Sequence, residues 1–368
     1  MKRALLAVAL LLVAVGLPCG AWFVAGSREA ERESQRVVDE SRAEARLAAG
    51  AMAQQLGARL EKIRATESQR PYFHYQNLFH DPRGASQGLS VVPSPLAGGP
   101  TEPLILAHFQ VDRKGQVTLP TLNDEVRELN TADVSRERSM QQTLSAAAPV
   151  VLRDGGPALA SLEAEVRART KRREGERASP PPAAARLVPP ESQQTADARR
   201  LAGETPARPE PKEIEKSAFQ VPGTNMTQSL NVQRLDPIVF AQNAQSNVVY
   251  KEVKEPAAPR TKPVLPSHRA PEVEVATSDF AWSSIDVGGR RSLAALRPVV
   301  TPEGAAIQGF VVSQAALQDA IRSAGPAATY LELKPSAKDG IPIGSSGWSL
   351  AVDERAASAP AIARAEEI

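Results

Sequence analysis

The sequence predicts an α+β protein. One N-terminal transmembrane helix is followed by a long helix and an antiparallel sheet domain, which a long disordered insertion interrupts. Three observations carry this expectation. Residues 4–25 form an apolar run without a charge. Residues 27–68 hold helical spacing without a proline. Short β-rich runs at 104–120 and 279–352 flank a stretch of proline, alanine and charge that buries too little surface to offset chain entropy.

The apolar run sets the expected topology. It is long enough to cross a hydrocarbon core of about 30 Å. A cleaved signal peptide has a shorter apolar core; here the apolar character continues through Ala21, Trp22, Phe23 and Val24, which favours retention. A lipoprotein signal at Cys19 is disfavoured by Pro18 directly before it. Lys2 and Arg3 form a basic cap on the near side, so the expectation is a single-pass inner-membrane protein with its body in the periplasm. The expected segments are an anchor at 1–26, a membrane-proximal helix at 27–69, sheet domain at 70–125 and 277–353, an insertion at 126–276 and a helix-prone tail at 354–368.

Within the long helix, Val38, Ala45, Ala48, Met52, Leu56, Leu60 and Ile63 recur near helical spacing. Such a narrow stripe on a helix of about 60 Å needs a partner. Its own domain's sheet and the same helix of a second copy are both open, so a homodimer through this helix is expected. Arg70-Pro71 ends the helix. The aromatic cluster Tyr72-Phe73-His74-Tyr75 follows, and it suits either a core plug or a pocket wall. Strand residues 104–112, the turn Arg113-Lys114-Gly115 and return residues 116–120 read as a hairpin.

From 123 to 154 the pattern is weakly helical, and from 155 to 262 it dissolves, with a helix at 161–173 and a short ordered patch at 238–253 as the exceptions. Strands are expected again at 280–287, 293–300, 306–313, 329–334 and 348–352, with a helix at 314–323 between them. The 31 prolines and 4% aromatic content leave too little bulk for a core of the full 368 residues.

The chain's segments Pro71-Tyr-Phe-His-Tyr-Gln-Asn, the 104–120 hairpin, Leu293-Ala-Ala-Leu-Arg-Pro-Val, Gln308-Gly-Phe-Val-Val and the 348–352 strand resemble the extracytoplasmic Cache (PAS-like) sensor region of bacterial histidine kinases. The resemblance covers 27–125 and 277–353, about half of the chain. It implies a PAS/Cache-like sheet with a small-molecule pocket between sheet and loops, walled by Tyr72, Tyr75, His108, Trp282, Arg297 and Gln308. Arg297 there would suit a carboxylate by bidentate hydrogen bonding. Against each residue stands the plainer role of core or surface packing. The resemblance implies a sensor module of a signal-transduction kinase, transmitting through its long helix. The kinase's phosphoacceptor histidine and ATP-binding boxes do not occur in this sequence, and His80-Asp81-Pro82-Arg83 lies in an aromatic loop. An anchored envelope scaffold that binds protein is the alternative.

Other chemistry finds little support. The net charge of +2 excludes nucleic-acid binding driven by overall charge. Cys19 is the sole cysteine, so one chain can form neither a disulfide nor a cysteine metal site. Four scattered histidines offer no obvious base for a nucleophile, and no His-Glu-x-x-His or phosphate-cradling Gly-Lys motif occurs. Gly288-Gly289-Arg290-Arg291 reads as a turn with solvated charges. Catalytic residues, metal ligands and cofactors are therefore expected to be none.

Overall fold

The computed structural model describes residues 2–80, 91–130, 133–178, 215–220, 227–254, 272–336, 338 and 340–366. The chain forms two compact units, one of Met1–Lys62 with Gln314–Ile368 and one of Ile63–Ser313. Helix α1 (Lys2–Ser68) supplies its last turns to the second unit and the rest to the first.

Among the described residues no helix is long and apolar enough to cross a membrane. This corrects the expected transmembrane anchor at 1–26 and the inner-membrane placement with a periplasmic body. Side chains of α1 are described from Gly16 onward. From there the apolar stretch reaches only Ala25 before Ser27, Arg28 and Glu29 follow on the same helix. Ten residues rise only about 15 Å, half of a hydrocarbon core. The side chains of 1–15 lie outside those described.

In the Ile63–Ser313 unit, Leu78–His80 (β1) pairs with Val91–Pro93 (β2) as a small ribbon. The main sheet opens with the expected hairpin of Ile105–Asp112 (β3) and Val117–Thr118 (β4). Asp112 builds its turn: Oδ1 accepts from the backbone of Lys114 at 2.9 Å and Gln116 at 2.8 Å, while Gly115 takes φ +82°. Next come helix α2 (Val134–Ala178), strands β5 (Glu215–Gln220) and β6 (Thr227–Leu235), helices α3 (Pro237–Ala244) and α4 (Ser246–Lys254), and strands β7 (Val273–Ser278), β8 (Ala281–Val287), β9 (Arg290–Thr301) and β10 (Gly304–Val312). Gly288 and Gly289, both at positive φ, turn β8 into β9.

The antiparallel order among the described residues is β4-β3-β10-β9-β7-β6-β5, with β8 also on β9. β9 changes partner along its length. It pairs β8 from Arg290 to Leu296 and β7 at Val299 and Val300. Pro298, which has no N–H to give a ladder, stands in the gap.

The two faces of this sheet differ in kind. Ala107, Phe109 and Val111 of β3, Ala294 and Leu296 of β9, and Ile307 and Val311 of β10 meet Leu144, Ala148, Val151 and Leu159 of α2 in one apolar core. Gly309 and Gly155 make the close approaches. A Cβ on Gly309 would stand 2.5 Å from Phe109 Cζ, and one on Gly155 would stand 2.6 Å from Ile307 Cδ1. The strand residues between these, His108, Arg297, Gln308 and Phe310, point to the opposite face.

Strands β5, β6 and most of β7 and helices α3 and α4 stand in the stretch expected as a mostly disordered insertion at 126–276, which they correct; helix α2 joins the expected helical pieces at 123–154 and 161–173 into one. Its buried residues keep helical spacing from Leu144 to Leu162. Pro149, Gly155, Gly156 and Pro157 hide that period in the sequence. Residues 179–214 of the insertion lie outside the described residues.

In the other unit, α5 (Gln314–Arg322), strands β11 (Leu331–Lys334), β12 (Ile341–Pro342) and β13 (Ser349–Val352), and α6 (Glu354–Glu366) accompany α1. The strand order is β11-β13-β12. Ala49, Ala53, Leu56 and Leu60 of α1, with Trp348 and Leu350, are buried there. Gly57 meets Gly344 so closely that a Cβ would stand 2.9 Å from the Gly344 nitrogen. Residues 277–353, expected as one half of a single sheet domain, are thus divided between the two units.

Candidate functional site

The last turn of α1 ends on the polar positions of β3, β9 and β10. Arg297 carries the junction. It is 1% exposed, in a strand whose other buried residues are apolar apart from Ser292. Its Nη1 donates to the Ser68 carbonyl at 3.3 Å and its Nη2 to the Arg70 carbonyl at 3.0 Å. Nε and Nη2 also donate to Gln308 Oε1 at 3.1 and 2.8 Å. The guanidinium lies 4.7 Å from the ring of Phe280 and 5.3 Å from that of Tyr75.

A helix leaves its final carbonyls without partners and carries partial negative charge at that end. Arg297 answers both with one buried cation. Burial pushes its pKa down, although Tyr75 and Glu67 act the other way.

Gln308 extends the network. Its Nε2 donates to the Tyr72 carbonyl at 2.7 Å and to Gln110 Oε1 at 3.0 Å. Glu67, 4% exposed, is the network's carboxylate. It accepts from Arg70 Nε at 2.8 Å and Nη2 at 2.7 Å, and from the Tyr75 hydroxyl at 3.5 Å. His108 Nε2 lies 3.2 Å from Glu67 Oε2, at ion-pair distance but outside hydrogen-bond alignment. Burial alone would push the Glu67 carboxyl up; Arg70 and His108 outweigh it and hold the pKa at about 2. The pairing with Glu67 raises Arg70, and burial raises Tyr75.

Four of the six residues expected to wall a pocket, Tyr75, His108, Arg297 and Gln308, meet in this buried cluster. Tyr72 sits beside it through its carbonyl. Trp282 stands apart on β8, half-buried, with its ring edge-on to Phe310 at 5.9 Å. The N–H groups of Arg297 are directed at its own chain and at Gln308 rather than at a cavity.

A half-open cavity of about 560 Å³ lies alongside. Its walls include Arg64, Ser68, Arg70 and Tyr72 from the end of α1 and the turn after it, Asn231 and Gln233 from β6, and Thr277 and Asp279 at the end of β7. Arg64 Nη1 donates to the Phe280 carbonyl at 2.9 Å, and Asn231 Nδ2 to Asp279 Oδ1 at 3.3 Å. Tyr72 also walls a smaller cavity of about 200 Å³, with Gln110, Phe240 and Glu303. Burial raises the Glu303 carboxyl.

Sequence reasoning missed Glu67 and Arg70. The signal was present as an acid and a base three residues apart at the last helical turn, where the helix meets the sheet. It also passed over the Gly-x-Ser-x-Gly spacing at 84–88, which lies outside the described residues. Among the described residues no group of three or more His, Cys, Asp or Glu could hold a metal ion.

Comparison with protein-family models, curated proteins and solved structures finds no match to this chain.

Proposed function

We propose that this chain is a ligand-responsive sensor module of the Cache/PAS-like type. A small polar molecule in the 560 Å³ cavity would change how the end of α1 is held on the sheet. One observation carries the reading. Ser68, Arg70 and Tyr72 wall the cavity, and the carbonyls of the same three residues are held by Arg297 and Gln308. A molecule that touches these residues acts on the fastening of the helix without an intervening element. Its differential affinity for the fastened and loosened states sets how far the equilibrium moves. The finer reading, a sensor belonging to a signal-transduction histidine kinase, rests on the resemblance of the strand segments.

The test is a thermal-shift screen of the intact chain with carboxylates, amino acids, sugars and nucleosides. It is followed by hydrogen exchange on the compounds that bind. A ligand of this cavity raises the melting temperature and changes exchange at residues 66–72. Gln233→Trp, which fills the cavity from β6, abolishes both effects. If no compound shifts the melting temperature, or if exchange at 66–72 is unmoved in the bound state, the sensor reading fails.

A further inference from the structure

The cavity of about 200 Å³ differs in kind from the larger one. Its wall carries two carboxylates, Glu303 from the turn between β9 and β10 and Asp112 from the end of β3, and no basic side chain among the described residues. Asp112 Oδ1 is taken by the hairpin turn, which leaves Oδ2. Burial alone acts on the Glu303 carboxyl, so no cation among the described residues answers its charge. Two carboxylates specify little by themselves; the groups beside them specify more. Tyr72 is 7% exposed and lines the cavity, yet its hydroxyl has no hydrogen-bond partner among the described residues. Burial first, and the charge of Glu303 second, push the pKa of that hydroxyl up, which sets it near Glu303. Gln76 Oε1, in the same wall, is buried without a hydrogen-bond partner among the described residues. Gln110 Oε1, by contrast, is spent on Gln308 Nε2. Phe240 of α3 adds a second buried ring, packed in one cluster with Tyr72.

We propose that this cavity binds a small primary alkylammonium ion. Glu303 and Asp112 supply the opposite charge, and the Tyr72 hydroxyl oxygen and Gln76 Oε1 supply further acceptors for its N–H groups. The alkyl part lies against Tyr72 and Phe240, whose rings favour a cation over a neutral alcohol of the same size. An anion finds no basic partner in this wall. A calcium ion takes about six to eight oxygen ligands, whereas no group of three or more His, Cys, Asp or Glu that could hold a metal occurs among the described residues. The site lies beyond the ligand proposed for the larger cavity, with which it shares Tyr72.

Saturation-transfer NMR titration of the intact chain with n-butylammonium chloride, at constant ionic strength, tests this. The expected result is saturable binding, with n-butanol, butyrate and tetramethylammonium each weaker by at least about tenfold. Glu303 is exposed in its turn, so Glu303→Gln keeps the wild-type urea transition while it weakens butylammonium binding by at least about tenfold. Ala244→Phe, which narrows the cavity from α3, abolishes the binding. Gln233→Trp, which fills the larger cavity, leaves it unchanged, so this site is scored apart from that one. Absence of saturable binding overturns the proposal. So does n-butanol or tetramethylammonium binding as tightly, an affinity indifferent to Glu303→Gln, or binding that Gln233→Trp removes.

Discussion

Glu67→Gln tests whether the buried network holds α1 on the sheet. The wild-type carboxyl has its pKa lowered from 4.5 to about 2 in the folded chain. A lowered folded-state pKa contributes stability that is fully present above the unfolded value. The contribution is lost as pH falls through the folded value, so the window here runs from about pH 4.5 down to about 2. At 1.36 kcal/mol per decade the full contribution is about 3 kcal/mol, and roughly 2 kcal/mol of it is gone by pH 3.

The assay is urea unfolding at pH 6 and pH 3, followed by Trp282 emission with Trp22 and Trp348 replaced by Phe. Trp282 then reports the Ile63–Ser313 unit alone. The difference between the two pH values, wild type minus Glu67→Gln, cancels the titration of groups that do not touch this carboxyl. The expected double difference is about 2 kcal/mol. Equal pH dependence of the two chains would falsify the account of Glu67 as the network's anion.

Three further substitutions probe the packing. Arg297→Met keeps the length and the apolar stem but leaves the Ser68 and Arg70 carbonyls and Gln308 Oε1 without their donor. The expected loss is about 3 kcal/mol in urea unfolding, with faster exchange at 66–72, and an unchanged exchange pattern there would count against the fastening. Gly309→Ala forces a Cβ to 2.5 Å from Phe109 Cζ and costs about 1–3 kcal/mol, and Phe109→Leu in the same chain recovers part of it; strictly additive losses would show that the ring is not the obstacle. Gly57→Ala drives a Cβ to 2.9 Å from the Gly344 nitrogen, so it lowers the transition seen by Trp348 and leaves the one seen by Trp282 in place. A shift of both transitions by the same amount would show that the units unfold together.

The sheet hairpins were legible because their signals are local. Asp112 through Gly115 and Gly288-Gly289 carry turn chemistry that fixes register without help from distant residues. The ending of α1 was legible at Arg70-Pro71 for the same reason. Helix α2 was legible only in pieces, weakly at 123–154 and again at 161–173, because Pro149 and the Gly155–Pro157 run break its propensity between them. Only burial of Leu144, Val151 and Leu162 against the sheet, a tertiary gain, holds the helix through them. The anchor expectation rested on a run whose described part is short and continues into a charged helix. The buried site was half legible. His108, Arg297 and Gln308 are polar residues at inward strand positions, which alternation exposes. Glu67 could not be separated from the surface acids of α1 without knowing which turn of the helix meets the sheet.

That last point bears on why the junction is polar at all. Replacing a buried ionic network by apolar side chains of similar volume is often neutral or stabilising, so stability alone does not account for Glu67, Arg70, His108 and Arg297. An apolar contact between a helix end and a sheet tolerates sliding and rotation, because one methyl group replaces another. This network does not. Arg297 must meet the carbonyls of residues 68 and 70 while Gln308 meets that of residue 72, and Glu67 must face Arg70 and His108 at the same time. A shift of α1 by one residue breaks all of these contacts at once and leaves a buried guanidinium unpaired. The helix end therefore has one well-defined fastened state, separated by a steep cost from any displaced one. Two discrete states, rather than a continuum, are what a ligand in the neighbouring cavity needs if its occupancy is to be read along a helix.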